Sequence, residues 1–182
     1  MEKILIFLFA SITLMIGSLN AQTSSKTLIV YFSWGGNTKK AADIIKNMTQ
    51  ADIFEIKTSE SYPSSYNDTL NKARTELNNN ILPNLSTDIN NLANYDTIIL
   101  CYPNWWGTIP QAVKQLLLTH NFSGKKIAPL CTHGGGGLGR SIRDITSLCK
   151  DSNILESLSL SGGRVSGSEN NIKNWLQNTG IL

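Results

Sequence analysis

Two kinds of apolar pattern alternate along the chain. Residues 27–32 (TLIVYF), 95–102 (YDTIILCY) and 125–132 (KKIAPLCT) are near-continuous apolar runs. Residues 52–57 (DIFEIK) and 154–161 (ILESLSLS) alternate instead: Phe54 and Ile56 against Glu55 and Lys57, Leu158 and Leu160 against serines. Continuous runs of this length read as strands buried on both faces of a parallel sheet, and alternating ones as half-exposed strands. Segments of helical period lie between them. Residues 37–48 put Ala41, Ile44, Ile45 and Met48 on one face, and residues 137–149 do the same with Leu138, Ile142, Ile145 and Cys149. Residues 108–120 read as a helix with Pro110 in its first turn, and 69–77 as a polar helix. Residues 168–180 read as a closing helix with a serine cap and a terminal glycine. Residues 58–68 read as loop, and the Asn-rich stretch 78–94 as a long irregular connection.

Strands that alternate with helices predict an α/β fold, a doubly wound five-stranded parallel sheet with helices on both faces. The alternating second and fifth strands belong at its edges. That selects the order 2-1-3-4-5 over the dinucleotide-fold order 3-2-1-4-5-6, which would bury strand two and needs a sixth strand.

With 182 residues the chain can bury one sizeable core. Hydrophobic content of 41% and charge of 16% are globular values. The net charge of +3 is spread over isolated pairs such as Lys39-Lys40 and Lys125-Lys126, which argues against nucleic acid as a partner. The N-terminal apolar run, residues 4–17, is too short for a membrane span of about 20 residues. It reads as the core of a cleavable signal peptide over 1–21, leaving a mature domain over 22–182 with no stable membrane span. The expected location is therefore exported, periplasmic or secreted; a start at Met15 would give a cytoplasmic form. Cys101, Cys131 and Cys149 are odd in number and sit in apolar runs, so buried free thiols are expected and no metal site. The sequons at Asn47, Asn67, Asn84 and Asn121 are what chance gives in a chain rich in Asn, Ser and Thr.

In a sheet of this order, ligands bind beyond the carboxyl ends of strands one and three. Three loops of unusual composition should meet there. The first holds Ser33, Trp34, Gly35, Gly36, Asn37, Thr38 and Lys39. Its glycines let backbone N–H groups curl around an anion at a helix N-terminus, and its hydroxyl and amide side chains add donors. The spacing is not that of a nucleoside-triphosphate loop. The second loop, Pro103, Asn104, Trp105, Trp106 and Gly107, sets two indoles beside the crevice; one should pack inward and one should meet a flat ring. Asn104 could bond ring heteroatoms. The third loop, Thr132, His133, Gly134, Gly135, Gly136 and Gly137, is followed by Gly139 and formally contains G-x-G-x-x-G. It follows the fourth strand rather than the first, so close backbone approach to a ligand edge is the simpler reading. His133 could stack or donate, or satisfy its own loop. G-x-S-x-G is absent, which leaves no hydrolase elbow.

The stretches YFSWGGNT, YPNWWGTIP, FSGKKIAPLCTHGGGGLGRSIRDI and WLQNTGI together resemble the flavodoxins, in the subfamily with a Trp-Trp-Gly flavin loop, over residues 26–182. The resemblance implies the flavodoxin-like fold and non-covalent FMN. The phosphate would lie on Ser33, Gly36, Asn37 and Thr38, and the flavin between 103–107 and 132–137. It also implies one- or two-electron transfer with an unidentified redox donor and acceptor. The alternatives are an NAD(P)H-dependent FMN or quinone reductase of the same fold, and a non-redox flavin-binding or interaction module. The chain differs from the family pattern in having Gly35 where a hydroxyl residue is usual. It also has glycine where a third-loop tyrosine often covers the flavin, and a basic rather than acidic balance.

Overall fold

The computed structural model describes residues 26–182; the leader expected over 1–21 lies outside the described residues. The first strand, β1 (Thr27–Tyr31), is followed by α1 (Asn37–Thr49), β2 (Asp52–Glu55), α2 (Tyr66–Asn78) and β3 (Thr97–Pro103). Then come α3 (Gln111–Thr119), β4 (Lys126–His133), α4 (Ser141–Leu148), β5 (Asn153–Ile154), β6 (Leu158–Ser161) and α5 (Glu169–Asn178). The pairings among these strands are parallel, in the order β2-β1-β3-β4-β5, with β6 also on β4. This is the flavodoxin-like order expected from the strand patterns. Among the described residues no helix is long and apolar enough to cross a membrane.

The pleat divides the core between two faces. Leu28, Val30, Ile98, Leu100 and Ile127 face α3 and α4, packing with Val113, Leu116 and Ile145. Ile29, Tyr31, Ile99, Cys101 and Leu130 face α1 and α5, packing with Ala42, Ile45, Ile172 and Leu176. Both faces of β3 are covered, which is why it has no polar alternation.

The fifth strand departs from expectation by splitting in two. β5 pairs with the start of β4 (Lys126↔Asn153, Ile127↔Ile154) and β6 with its end (Leu130↔Leu158 to His133↔Ser161), one residue out of step. The cause is Pro129. The carbonyl of Ile127 points to the fifth strand, where it accepts from the Leu155 N–H. Pro129, two residues on, faces the same side and has no N–H to give, so the neighbour bulges over 155–157.

Helix ends also differ from the sequence reading. α2 begins three residues early because the Ser65 hydroxyl accepts from the Asp68 N–H (3.4 Å). Pro110 occupies the cap position of α3 rather than its first turn. α4 begins only at Ser141, leaving Leu138 in the preceding turn. Ser168 stands at the cap of α5, but its hydroxyl donates to the Arg164 carbonyl (2.9 Å) instead of capping the helix.

Candidate functional site

The loops after β1, β3 and β4 converge on a crevice of about 460 Å³, the size of an ordinary cofactor site. The first loop turns sharply at Gly36, whose φ of +85° puts it in left-handed backbone at the N-cap of α1. No side chain caps that helix, so its first N–H groups stay free of side-chain acceptors. The Ser33 hydroxyl oxygen is buried and has no hydrogen-bond partner among the described residues. A buried unsatisfied hydroxyl costs about 1–3 kcal/mol. Its position at the crevice beside a helix N-terminus makes it a donor waiting for an acceptor. Trp34 ties the loop down by donating its indole N–H to the Pro63 carbonyl (2.8 Å). The buried hydroxyls of Thr38 and Thr132 meet at 2.7 Å and join the first loop to the third.

The second loop is a tight turn that sends its two tryptophans in opposite directions. Trp105 and Thr108 exchange backbone hydrogen bonds (2.9 and 3.1 Å) across Trp106 and Gly107, whose φ values are +53° and +79°. Two successive positive φ values make this a type I′ turn, for which the glycine is well suited and the tryptophan is not. Trp106 is held there from outside. Its indole N–H donates to the Leu70 carbonyl (3.0 Å), and the Arg74 guanidinium lies 5.1 Å from its ring centre. Trp106 is thus an anchor on α2, rather than on the helix that follows its own loop. Trp105 points the other way and lines the crevice, edge-on to Phe32 (5.3 Å, 88°) and to Tyr62 (5.0 Å, 79°).

Asn104 is committed to the scaffold rather than offered to a ligand. Its amide N–H₂ donates to the Gly137 carbonyl (2.7 Å), its side-chain oxygen accepts from the Gly107 N–H (2.8 Å), and its own N–H donates to the Thr132 carbonyl (2.7 Å). The third loop is packed against the second just as closely. The Arg140 N–H donates to the Gly107 carbonyl (2.8 Å), and any Cβ on Gly139 would run into that oxygen. Gly139, at φ +54°, is therefore glycine for packing. His133 Nδ1 accepts from the Gly135 N–H (3.0 Å), which places any ring proton on Nε2. Cys131 beneath this loop is buried, and burial pushes its thiol up to about 12. All three cysteines are buried and free, and Cys131 is no nucleophile partner for His133.

The flavodoxin family model matches residues 26–179. The chain belongs to the flavodoxin family. Its fold is shared with a protein designated a flavoprotein from Bacteroides eggerthii, at 26% identity and a TM-score of 0.77, covering 87% of this chain and 100% of that one. It is shared also with one so designated from Bacteroides uniformis, at 25% identity and a TM-score of 0.75, covering 84% and 98%. A flavoprotein from Lactobacillus acidophilus, solved in complex with FMN, matches at 26% identity and a TM-score of 0.66, covering 79% and 98%. Among curated proteins, none matches the sequence.

Within this flavodoxin-family crevice, eleven of the residues singled out from the sequence form the lining. They are Ser33, Trp34, Gly35, Asn37, Thr38, Pro103, Asn104, Trp105, Thr132, His133 and Gly134. Gly36, Trp106, Gly107, Gly135, Gly136 and Gly137 shape the loops without lining it. Lys39 is turned aside into an exposed ion pair with Asp43 (2.7 Å). Five lining residues were not anticipated: Tyr66 and Leu70 on α2, and Ser161, Gly162 and Gly163 after β6. The pattern of residues 69–77 gives a polar helix and assigns it no site residue. The one available signal was the glycine pair at the end of the fifth strand, and a Cβ on Gly162 would crowd the Asn37 amide at 2.7 Å.

Proposed function

We propose that this protein is an exported flavodoxin that binds FMN and carries one or two electrons between partner proteins. The observation that carries the reading is Ser33: a buried hydroxyl without a partner, opening onto a crevice at the start of α1. That is what an anion cradle requires, and the phosphate of FMN would take this hydroxyl together with the backbone N–H groups at the start of α1 and the Asn37 amide. Trp105 and the Thr132–Gly134 segment would border the ring system. When bound, FMN supplies the redox chemistry. The chain's own residues hold the phosphate, orient the ring and exclude water from one side of it. Thr38, which also lines the crevice, would add its hydroxyl to the cradle while its bond to Thr132 ties the first loop to the third. The complex of the Lactobacillus acidophilus relative with FMN supports the choice of cofactor.

The test is a parallel titration with FMN and riboflavin. Much tighter binding of FMN is expected; equal affinities would remove the anion cradle. A second reading, an NAD(P)H-dependent FMN or quinone reductase, draws on the mouth of the crevice. Tyr66 there is 64% exposed, 6.2 Å from the Trp34 ring, which leaves an aromatic ledge for a second flat molecule. Anaerobic addition of NADH or NADPH separates the two: rapid flavin bleaching selects the reductase, and reduction only by dithionite or a protein partner selects the carrier.

Export rests on the apolar run at residues 4–17 and the small residue Ala21 that ends the leader. Mass spectrometry of protein recovered outside the cytoplasm should begin at Gln22. An intact Met1 in a soluble cytoplasmic form would overturn it.

A further inference from the structure

Behind Trp105 lies a chain of groups that no contact with the crevice requires. Tyr62 meets the indole edge-on at 5.0 Å and also meets Phe32 at 5.8 Å and 70°. Its hydroxyl donates to Oε2 of Glu76 at 2.7 Å. Glu76 is only 5% exposed, on the inner side of α2, and its backbone carbonyl accepts from the Gln111 side chain at 3.2 Å. Lys72, one turn earlier, sets its ammonium 5.0 Å from the Tyr62 ring centre and 4.0 Å from Glu60. Beyond Glu76 a separate cavity of about 460 Å³, bordered by Ser59, Glu60, Lys72 and Thr75, opens toward solvent.

A carboxylate is an expensive choice for the inner side of a helix. Burial raises its pKa above the ordinary carboxylate value, against the opposing pull of Tyr62 and Lys72. A leucine there would fill the same space without that cost. What the carboxylate gives is a fixed acceptor for one phenol. Tyr62 lies in the loop between β2 and α2; the Pro63 carbonyl beside it, which accepts from the Trp34 indole (2.8 Å) and the Thr69 hydroxyl (2.7 Å), holds the backbone, and the bond to Glu76 fixes the far end of the phenol. An edge contact between rings is worth about 0.5–1.5 kcal/mol and tolerates tilt, whereas a charge-assisted hydrogen bond fixes a direction.

We propose that Tyr62 and Glu76 are positioning residues for Trp105: the Tyr62–Glu76 hydrogen bond locks the phenol ring which, packed edge-on with Phe32 in one aromatic triad, backs the indole and holds the orientation it presents to the crevice. The proposal rests on the reading of that crevice as the flavin site. Trp105 is the group that meets the ligand; Tyr62 and Glu76 act through it.

The test uses Tyr62→Phe, Glu76→Leu, Glu76→Gln and Ser33→Ala, with Trp105→Phe as a background. Tyr62→Phe and Glu76→Leu should weaken FMN and riboflavin by the same factor, roughly three- to tenfold, because Trp105 addresses the ring and not the phosphate. Both should alter the visible circular dichroism of the bound flavin. Glu76→Gln, which keeps an acceptor for the phenol, should return most of both. Ser33→Ala should weaken FMN alone. A merely structural role would lower thermal stability and leave the dichroism and the affinities unmoved, and that result in Tyr62→Phe overturns the proposal. Should Glu76→Leu not fold, Tyr62→Phe and Glu76→Gln decide. A wild-type protein that binds the two flavins equally or not at all counts against the cofactor reading alone. The ring contact is then judged in the flavin-free protein. Tyr62→Phe should change its near-ultraviolet circular dichroism in the tryptophan bands, at wavelengths longer than tyrosine absorbs, and that change should vanish in a Trp105→Phe background. Persistence of the change in those bands there overturns the positioning role.

Discussion

Asn104 and Gly137 are joined by a 2.7 Å hydrogen bond from side-chain amide to backbone carbonyl, which clamps the loop after β3 to the loop after β4. The same side chain accepts from the Gly107 N–H at 2.8 Å. Asn104→Ala breaks both bonds. Denaturant unfolding should show a loss of about 1–3 kcal/mol. Flavin affinity should fall as well, since both walls of the crevice lose their tie. Unchanged stability would mean that the loops hold their places by other contacts.

Ser33→Ala should have opposite effects on the fold and the ligand. The hydroxyl is buried without a partner among the described residues, so removing it should raise the stability of the flavin-free protein by up to about 1–3 kcal/mol. FMN affinity should drop while riboflavin affinity holds. A loss of flavin-free stability would show that the hydroxyl is already satisfied.

The two tryptophans should separate cleanly. Trp105→Ala should weaken flavin binding roughly tenfold or more, from lost burial and lost ring contact. It should also raise the midpoint potential of the bound flavin, because an electron-rich indole disfavours added negative charge. Trp106→Ala removes the bond to Leu70 and the Arg74 contact. Its main effect should be on thermal stability. Equal effects of both variants on affinity would contradict the opposed orientations.

Gly139→Ala should be among the costliest glycine substitutions in the chain. Left-handed backbone disfavours a Cβ by roughly 1–2 kcal/mol, and the Gly107 carbonyl blocks the space as well. Gly134→Ala is the control: nothing lies within 4 Å of its Cβ and its φ is not positive. Thermal melts of the two should differ by several degrees, since about 1 kcal/mol shifts a domain of this size by roughly 2–4 °C.

Glu76 should make stability depend on pH. Its carboxyl is raised in the folded state, chiefly by burial, with Tyr62 and Lys72 pulling the other way. A raised folded value means that the folded state binds the proton more tightly. The group's contribution is therefore present at low pH and is lost as pH rises through the folded value. Glu76→Gln should be more stable than wild type at pH 8, with the gap closing as pH falls toward the ordinary carboxylate range. A gap that does not vary with pH would place the carboxyl at its ordinary value.

The sheet was legible because burial on two faces and burial on one face leave different residue patterns. TLIV and TIIL can only be central strands, and DIFE and LSLS tolerate an edge, so the order follows from a local property. The three crevice loops were legible for a related reason: glycines and hydroxyl residues at strand ends have few other uses than sharp turns and ligand contact. The break in the fifth strand was not legible from that strand. Its cause is Pro129 on the neighbour, facing a side that only the register of β4 defines.

The chain by itself determined what each segment can be: which strands are central, where glycines let the backbone turn sharply, which loops share an end of the sheet. Only the tertiary structure decided what each polar group is for. Asn104 and Thr38 have the same chemistry whether they face a ligand or a neighbouring loop, and here they bond to Gly137 and Thr132. Trp105 and Trp106 are adjacent and identical, and they part only because the turn places one against Phe32 and the other against α2. Glu76 lies fourteen residues from Tyr62, on what reads as a polar helix, and becomes part of the site's support only when α2 packs against the loop. Periodicity encodes burial, which is a property of one segment against its surroundings. A hydrogen bond needs a particular partner at a particular distance, and that exists only once the chain has folded.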